Sequence, residues 1–201
     1  MEQIQAQFGN IDIYLFDQIL KGRYQPGQKV LDVGCGSGRN SYFFLQNDFE
    51  VYGVDQSPEA IASIQALAAS AQKDYPLDRF QVSSIEGMNF KKDSFDLVIC
   101  NAVLHFAKND EHFDQMLRSI WQVLKPGGYF FCRLASTIGV EQQIKSLGDS
   151  RYELPNGTIW YLVDEALLLR YTRELQGELI EYIKTTNVQN LRAMTTWCLR
   201  K

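Results

Sequence analysis

The sequence predicts an α/β protein in which helices cover both faces of a largely parallel sheet. Strand-like segments and segments of helical periodicity alternate along residues 28–134. Such alternation implies right-handed crossovers between parallel strands. The segment SFDLVICNAV is also apolar almost throughout, as expected for a strand that is buried on both faces.

The first elements follow from hydrophobic spacing and from turn residues. Residues 10–22 repeat an apolar residue every four positions, which predicts a helix, and KVLDVG then has the pattern of a short buried strand. RNSYFFLQND is predicted to be helical, and EVYGVD is the second strand. Ser57 followed by Pro58 has the pattern of a helix N-cap, which predicts a helix to about Ala71.

The second half of the chain continues the alternation and then changes character. RFQVSS and SFDLVICNAV are the third and fourth predicted strands, residues 110–124 form an amphipathic helix closed by KPGG, and YFFCRLA is the fifth strand. After a predicted helix in VDEALLLRYTREL, two β-rich segments are joined by Gln189 and Asn190. A turn this short makes a hairpin, so the last strand must run antiparallel to its neighbour.

No internal repeat, low-complexity tract or linker divides the chain, so we expect a single domain over residues 1–201. Four parts are distinguished within it: an N-terminal helix and cap (1–27), a ligand-binding core (28–134), an insertion that acts as a lid (135–163), and a helix with a terminal hairpin (164–201).

Composition bounds the classes of function. The 201 residues are 45% hydrophobic and 22% charged, and a net charge of −4 argues against a protein that grips a nucleic-acid backbone. No apolar run approaches the roughly 18 residues of a membrane span. The N-terminus has no signal-peptide pattern, so a soluble, cytoplasmic protein is expected. Four scattered cysteines, expected to be reduced, and two histidines lack the spacing of a metal site, so no metal is expected.

The strongest motif is the glycine turn VLDVGCGSG at residues 30–38. A predicted strand runs into three glycines there, and a helix follows. Glycine permits positive φ and lets a ligand touch the backbone, and a helix N-terminus offers free N–H groups to polar ligand atoms. A tight strand-to-helix turn without a ligand would also use glycines, and the motif alone leaves this alternative open.

An acidic residue further on strengthens the ligand-binding interpretation. The second predicted strand ends at Asp55, about 20 residues after Gly34. A carboxylate at that position can accept hydrogen bonds from both hydroxyls of a ribose. The alternative is an Asp that caps a helix or lies in a solvated turn.

The order of the glycines separates the kinds of nucleotide ligand. G-x-G-x-x-G marks a dinucleotide site, whereas this turn has G-x-G-x-G with Asp32 two positions before it. A carboxylate so close would repel a pyrophosphate and suits a ligand with a cationic amino group. The chain also lacks the Y-x-x-x-K pair of a dehydrogenase and the G-x-x-x-x-G-K-[ST] loop of a nucleoside triphosphate site.

Four segments together resemble one enzyme family. VLDVGCGSGRN, VYGVDQSPEAI, SFDLVICNAVLHF and VLKPGGYFF resemble motif I, the acidic loop, motif IV and motif V of the class I S-adenosylmethionine (SAM) methyltransferases, in particular the small type 11/12 and tellurite-resistance-like branch. The resemblance covers residues 28–134. It implies a Rossmann-like sheet of seven strands in the order 3-2-1-4-5-7-6 with strand 7 antiparallel, which fits the predicted terminal hairpin.

The resemblance also implies which residues contact the cofactor SAM. They are Asp32, Gly34, Cys35, Gly36, Asp55, Gln56, Ser84, Ile85, Glu86 and Asn101. Asp32 would hold the amino group, Asp55 the ribose hydroxyls, and Asn101 would lie near the transferred methyl. Ser84 stands where the family often has an Asp, so the adenine contact would pass to the two residues that follow it.

Methyl transfer from a sulfonium is an in-line displacement, in which alignment matters most and a base is needed only if the nucleophile must lose a proton. His105, just past the fourth strand, is the candidate catalytic base or substrate contact, and a polar loop residue is the equal alternative. Arg133 ends the fifth strand, where it could meet an anionic substrate or pair with a neighbouring acid. His112 is expected to be solvated.

Residues 8–14 and the insertion are the only segments outside the core that could cover a methyl acceptor. Both mix aromatic residues with turn residues, and Tyr14 and Trp160 are the candidate substrate contacts. We expect these segments to form a partly mobile cap that determines substrate choice. The alternative is that their aromatic side chains fill gaps in the core.

The sequence therefore predicts a SAM-dependent methyltransferase that acts on a small-molecule acceptor and leaves S-adenosylhomocysteine (SAH) as product. No [DNS]-P-P-[YFW] motif follows the fourth strand and the net charge is negative, so a nucleic-acid partner is not expected. Without a long apolar run, no membrane partner is expected either, and the protein is expected to be a monomer or a homodimer. Two alternatives remain: a non-catalytic SAM-binding sensor or partner subunit, and an oxidoreductase with a nucleotide cofactor on a similar sheet.

Overall fold

An eight-stranded mixed sheet runs through the structure, a computed structural model that describes residues 2–201. Five neighbouring strands in it are parallel: β1 (Lys29–Val33), β2 (Glu50–Asp55), β3 (Phe80–Val82), β4 (Phe95–Asn101) and β5 (Leu124–Ser136). Three strands from the insertion pair separately: β6 (Lys145–Gly148), β7 (Arg151–Glu153) and β8 (Ile159–Tyr161). The C-terminal part adds β9 (Glu178–Leu179), β10 (Lys184–Val188) and β11 (Arg192–Arg200) to the large sheet.

The order of strands in the large sheet is β10-β11-β5-β4-β1-β2-β3, with the short β9 beside β11. Strand β11 runs antiparallel to both β5 and β10. With β9 set aside, this is the predicted order 3-2-1-4-5-7-6 with an antiparallel seventh strand. The predicted fold class is confirmed.

Helices cover both faces of this sheet. They are α1 (Glu2–Phe8), α2 (Ile13–Leu20), α3 (Tyr42–Gln46), α4 (Pro58–Ala71), α5 (Asp110–Val123) and α6 (Glu165–Glu174). One core cluster packs α5 and α6 against the sheet, and the other packs α2, α3 and α4 against the opposite face. Strand β4 is almost entirely buried between these two layers, as its apolar sequence predicts.

Helix α4 has the bounds that the sequence predicts. Its N-cap, Ser57, accepts a hydrogen bond from the backbone N–H of Ala60 at 3.1 Å. Helix α3 is shorter than predicted, with only five residues. The predicted helix of residues 10–22 begins at Ile13, because Asp12 caps it, and ends at Leu20.

The KPGG segment after α5 differs from the prediction. It was expected to separate the helix from the fifth strand, but β5 begins at Leu124, directly after α5. Gly127 has φ +78°, and a Cβ on Gly128 would lie 2.8 Å from a side-chain carbon of Leu124. Glycine at both positions therefore lets the chain turn tightly between Leu124, which pairs with Phe95, and Tyr129, which pairs with Leu97.

The insertion between β5 and α6 forms regular structure of its own. Strands β6, β7 and β8 make an antiparallel sheet, and a small apolar cluster of Ala135, Leu154, Leu162 and Met194 lies beneath it. The sequence did not predict these strands.

The terminal hairpin matches its prediction. Gln189 and Asn190 both have positive φ, 52° and 57°, as the two central residues of a type I′ turn require. The chain register between β10 and β11 is continuous from Lys184 opposite Thr196 to Val188 opposite Arg192. Among residues 2–201, no helix has both the length and the apolar character needed to cross a membrane.

Candidate functional site

The glycine turn lies directly after β1, at the carboxyl edge of the parallel strands. The backbone N–H groups of Gly34 and Cys35 donate to the carbonyl of Val54 at 2.8 and 3.1 Å, which ties the turn to β2. Gly34 has φ +68°, and a Cβ there would lie 2.3 Å from a methyl carbon of Val103. Only glycine fits this position, for reasons of both conformation and space.

Asp55 joins the turn to the start of α4. One oxygen of its carboxylate accepts from Gly36 N at 2.9 Å, and the other accepts from Ser57 N at 3.0 Å. The glycine turn and the second acid, the two strongest signals in the sequence, are therefore in direct contact.

Asp32 lies beneath the same turn and is only 2% exposed. Its Oδ2 accepts a hydrogen bond from Ser41 Oγ at 2.8 Å. Burial raises the pKa of Asp32 to about 7, although the Ser41 hydrogen bond and the charge of Arg39 act in the opposite direction. A cationic group placed beside this carboxyl would favour its ionised form.

A cleft of about 290 Å³ opens beside the turn. Its lining residues are Gly34, Asp55, Gln56, Ser83, Ile85, Ala102, Val103, Phe106, His112 and Met116. Gly34, Asp55, Gln56 and Ile85 were predicted as cofactor contacts. Phe106 is 62% exposed, so an aromatic ring stands at the cleft with much of its surface free.

Two of the other predicted contacts, Ser84 and Cys35, are not among the residues that line the cleft. Ser84 Oγ accepts from Gly87 N at 3.1 Å within its own loop, while the preceding residue, Ser83, lines the cleft. Cys35 packs under the turn, where a Cβ on Gly53 would lie 3.0 Å from its Sγ. Burial raises the pKa of the Cys35 thiol, and all four cysteines are buried and free.

Glu86 and His112 form a pair at the rim of the cleft. His112 Nδ1 accepts from Lys108 N at 3.1 Å, so its Nε2 carries the hydrogen and donates to Glu86 Oε1 at 2.9 Å. The expectation that His112 is solvated was wrong, because its side chain is only 18% exposed and lines the cleft. Its position near the N-terminus of α5 was the available signal, since that end of the helix faces the ligand-binding edge.

Asn101, the last residue of β4, lies beside its register partner Arg133 on β5, a strand that continues beyond the predicted end to Ser136. Asn101 is 8% exposed, and within residues 2–201 the structure describes no hydrogen-bond partner for either atom of its side-chain amide. Arg133 Nη1 pairs with Asp12 Oδ2 at 3.3 Å, and its guanidinium lies 5.0 Å from the centre of the Tyr14 ring. Of the two roles considered for Arg133, pairing with an acid is therefore present, through Asp12.

His105 is buried in a 3-10 turn (Leu104–Phe106) and is 3% exposed. Its Nδ1 accepts from Ala135 N at 3.3 Å, and its ring lies 4.5 Å from that of Trp160. Burial, together with the charge of Arg192, lowers the pKa of His105 to about 4. The ring is thus neutral near pH 7, and its one acceptor nitrogen is occupied by the hydrogen bond from Ala135 N. The role of His105 as a base stays a prediction, and it would require this hydrogen bond to break.

The β8 strand fastens the insertion to the core. Trp160 packs on His105, and Tyr161 stacks on Phe113 with ring centres 4.7 Å apart. Tyr161 also donates its hydroxyl hydrogen to Asp110 at 2.8 Å. The predicted substrate contact Trp160 is therefore part of an anchored strand beside the cleft.

Comparison with known proteins places this chain in a family. The model of the methyltransferase domain family matches residues 31–132, half of the chain. An uncharacterized methyltransferase of Synechocystis sp. is 32% identical over 105 residues, which are 52% of this chain and 46% of that protein. A ubiquinone biosynthesis O-methyltransferase of Azoarcus sp. is 30% identical over 167 residues, covering 77% of this chain and 66% of the relative.

The chain spans less than half the length of the first of these relatives. A solved structure with a similar fold is the 1,6-didemethyltoxoflavin N1-methyltransferase of Burkholderia thailandensis with bound S-adenosylhomocysteine. It has a TM-score of 0.71 and 18% identity, and the comparison covers 100% of this chain and 81% of that one. The resemblance read from the four sequence motifs is confirmed at the level of the family, while the tellurite-resistance-like branch stays a prediction. This chain belongs to the methyltransferase domain family.

Proposed function

We propose that this protein binds S-adenosylmethionine in the cleft beside the glycine turn and transfers its methyl group to a small molecule. The observation that carries the proposal is the arrangement of Asp32 and Asp55 around one glycine turn. Asp55 is hydrogen-bonded to the turn and lines the cleft, and Asp32 is buried beneath it. The cofactor has a ribose and a cationic amino group to match these two carboxyl groups.

The space at the turn fits such a ligand. Gly36 has φ +53°, and a Cβ built on it would meet no atom within 4 Å. A ligand can therefore lie against the turn backbone without a side chain in the way. Gln56 and Ile85 line the same cleft and would flank the adenine.

The protein's own contribution to the reaction is binding and alignment. The bound cofactor supplies an electrophilic methyl group on a sulfonium sulfur. Asp55 would hold the ribose end, and Asp32 the amino group, so that the reactive end is directed to the carboxyl ends of β4 and β5. We infer that residues 8–14 and the insertion cover the acceptor there, exclude water and hold the nucleophile in line.

Calorimetry with SAH tests the cofactor assignment. Asp55→Ala is expected to weaken SAH binding by about 1–3 kcal/mol, because charge-assisted hydrogen bonds are lost from a partly desolvated site. Gly36→Val should abolish binding by placing a side chain where the ligand lies. Asp78→Ala, an exposed carboxylate in the turn before β3, is the matched control and should leave the affinity unchanged.

Unchanged SAH affinity in both site variants would refute the assignment. Turnover is measured separately, with methyl-labelled SAM and pooled small thiols, phenols, amines, carboxylates, tellurite and selenite. Binding of SAH without transfer to any pool would favour the sensor alternative over an enzyme.

A further inference from the structure

Four buried side-chain atoms have no hydrogen-bond partner among the residues that the structure describes. They are Asn101 Nδ2, Asn101 Oδ1, Arg133 Nε and Thr196 Oγ1. Buried polar groups in folded proteins nearly always have a partner, because an unpaired one loses its hydration without compensation. These atoms therefore require an explanation.

The three residues are neighbours in the sheet. Asn101 on β4 is the register partner of Arg133 on β5, and Arg133 is the register partner of Thr196 on β11. Side chains of register partners lie on the same face of adjacent strands, which are about 4.8 Å apart. The unpartnered atoms thus form one row, not three isolated defects.

This row lies where a ligand of the cleft would end. Asn101 is the last residue of β4, and its register partner Arg133 lies three residues before the end of β5 at Ser136. The carboxyl ends of these strands form the edge at which open α/β sheets bind ligands. The residue after Asn101 is Ala102, which lines the cleft. Tyr14 and Asp12 cover the row from the N-terminal segment.

The chemistry of the row suits a carboxylate. Arg133 Nη1 pairs with Asp12. The Nε atom of the guanidinium has no hydrogen-bond partner among the described residues. The edge of a guanidinium that carries Nε matches the two oxygens of a carboxylate. Asn101 Nδ2 and the hydroxyl of Thr196 add two further donors beside it. Lys184, the next register partner in the row, is engaged by Glu181 at 3.1 Å and Asp17 at 3.4 Å.

The adjacent threonine shows that this strand can satisfy its hydroxyl groups. Thr195 points to the opposite face of β11 and is fully buried. Its Oγ1 bonds to Thr185 Oγ1 at 2.7 Å and to Ser136 Oγ at 2.6 Å. Of the two threonines, only Thr196, on the face that carries Asn101 and Arg133, lacks a hydrogen-bond partner among the residues that the structure describes.

We propose that Asn101, Arg133 and Thr196 form a subsite for a carboxylate group of the methyl acceptor. The inference rests on the proposed function, since it concerns the acceptor of that reaction. Asp12 neutralises Arg133 when the subsite is empty, and the Nε edge receives the carboxylate. The acceptor class is a small organic acid that carries its methyl-accepting atom elsewhere in the molecule. The methionine carboxylate of the cofactor has the same chemistry, so the experiment must separate the two sources.

The test uses the full chain saturated with SAH and two probes of equal shape, benzoate and the uncharged benzamide. Binding is followed by NMR titration, which also reports the Nε–H signal of Arg133. Benzoate should bind more tightly than benzamide and shift that signal. Arg133→Gln is expected to reduce benzoate affinity about tenfold or more, and Thr196→Val about three- to tenfold, as loss of charged and neutral hydrogen bonds does.

Thr195→Val is the matched control on the same strand. It should lower the melting temperature, because it leaves Ser136 without its partner, yet keep the preference for benzoate. Thr196→Val should keep or raise the melting temperature, because the hydroxyl it removes is unpaired. This opposite pair of results separates a ligand-binding threonine from a structural one even if Arg133→Gln folds poorly.

Equal binding of benzoate and benzamide, or a preference unchanged in Thr196→Val, would overturn the proposal. A second outcome would also overturn it: Arg133→Gln loses affinity for SAH but not for 5′-methylthioadenosine, which lacks the amino-acid part, and the wild-type protein shows no preference for benzoate. The carboxylate that Arg133 binds would then be the cofactor's own. If SAH does not bind the wild-type protein, the proposed function itself fails, and that result is read before any benzoate is added.

Discussion

Asp32 and His105 are two buried side chains whose pKa values shift in opposite directions. Burial raises the pKa of Asp32 from 3.8 to about 7. Burial and the charge of Arg192 lower the pKa of His105 from 6.5 to about 4. Both side chains are therefore uncharged in the folded chain over much of the range between these values.

The sign of each pH effect follows from which state of the chain holds the proton. Between about pH 4 and 7 the folded chain keeps the proton of Asp32 that the unfolded chain has released, so this residue lowers the free energy of unfolding as pH rises. His105 acts in the opposite sense, since below about pH 6.5 the unfolded chain binds a proton that the folded chain does not. The stability that neutral His105 contributes is therefore lost as pH falls towards 4. In the wild type, the pH dependences of the free energy of unfolding that Asp32 and His105 cause oppose each other.

Asp32→Asn should remove the decrease in the free energy of unfolding with pH that Asp32 causes and leave the increase that His105 causes. Asn keeps an oxygen that can accept from Ser41 Oγ, so the packing is preserved. We expect the free energy of unfolding of this variant to rise more steeply between pH 4.5 and 6.5 than that of the wild type. Urea denaturation at several pH values measures the slopes, with the exposed Asp78→Asn as control. Equal slopes in Asp32→Asn and the wild type would contradict the raised pKa.

Substitutions at His105 distinguish a base from a residue that positions the insertion. Asn can accept the hydrogen bond from Ala135 N, whereas Leu has no acceptor. We expect His105→Asn to keep kcat within about fivefold, and His105→Leu to lose about 1–3 kcal/mol of stability because a buried donor loses its partner. The wild-type kcat should be flat between pH 6 and 8. A fall of about 100-fold in His105→Asn, with a kcat that follows a titration, would instead establish general-base catalysis.

At the scale of elements, the loop before β4 and the first turn of α5 meet at the rim of the cleft through Glu86 and His112. In the proposed function this pair stands at the adenine end. His112→Phe keeps a ring but removes the donor to Glu86, so affinity for SAH and for 5′-methylthioadenosine should fall together by about three- to tenfold. Calorimetry measures both, and Glu111→Gln, an exposed neighbour on the same turn, should change neither. A loss confined to SAH would place the pair elsewhere.

Elements governed by local signals were predictable from the sequence. Helix α4 follows from a cap and a proline that act within a few residues of its start. The β10–β11 hairpin follows from Gln189 and Asn190, the central residues of its turn, although Leu191 also lies between the paired Val188 and Arg192. Strands β6 to β8 have only three or four residues each, and β8 is fastened by Tyr161 and Trp160 to residues about 50 positions away. No local pattern reports such partners.

The site was predictable to the same extent and for a similar reason. Asp55 and the glycine turn end neighbouring strands, so the topology alone brings them together. In the loop after β3 the sequence pointed to Ser84, but its neighbour Ser83 lines the cleft. A difference of one residue in an irregular loop depends on backbone geometry that no periodicity describes. The pairing of Asp12 with Arg133 joins residues far apart in the chain and was equally inaccessible.

At the scale of the whole molecule, the sheet order gathers four kinds of polar group along one edge. From β2 to β11 this edge carries Asp55, the glycine turn, the end of β4 with Asn101, and then Arg133 beside Thr196. The carboxylate of Asp55 lies at the end proposed for the cofactor, and Arg133, with its partner Asp12, lies at the end proposed for the acceptor. The two ligands of a transfer reaction would therefore approach each other across β1, β4 and β5.

The N-terminal segment and the insertion, which cover this edge, differ in how firmly they are attached to the core. Hydrogen exchange can measure this difference. Residues 10–14 are held to the core by Asp12, whose backbone N–H donates to Asn40 Oδ1 at 3.0 Å and whose carboxylate pairs with Arg133. The insertion is held by the apolar and aromatic contacts of β8. Segments with few buried contacts open at lower free energy, so their amides exchange faster. Residues 10–14 should thus exchange faster than β8 in the unliganded chain.

Addition of SAH should directly protect the amides of residues 32–38 and 53–57 from exchange. It should also slow exchange at residues 10–14 and 138–150. Exchange in β8 (Ile159–Tyr161) should change little, because this strand is already anchored. In Arg133→Gln the protection gained at residues 10–14 should shrink, because Asp12 loses its ion-pair partner, and the protection at residues 32–38 should remain. Protection confined to residues 32–57 in the wild type would show that neither the N-terminal segment nor the insertion responds to the cofactor. The cap would then be a passive wall, and substrate choice would have to reside in the row of Asn101, Arg133 and Thr196 alone.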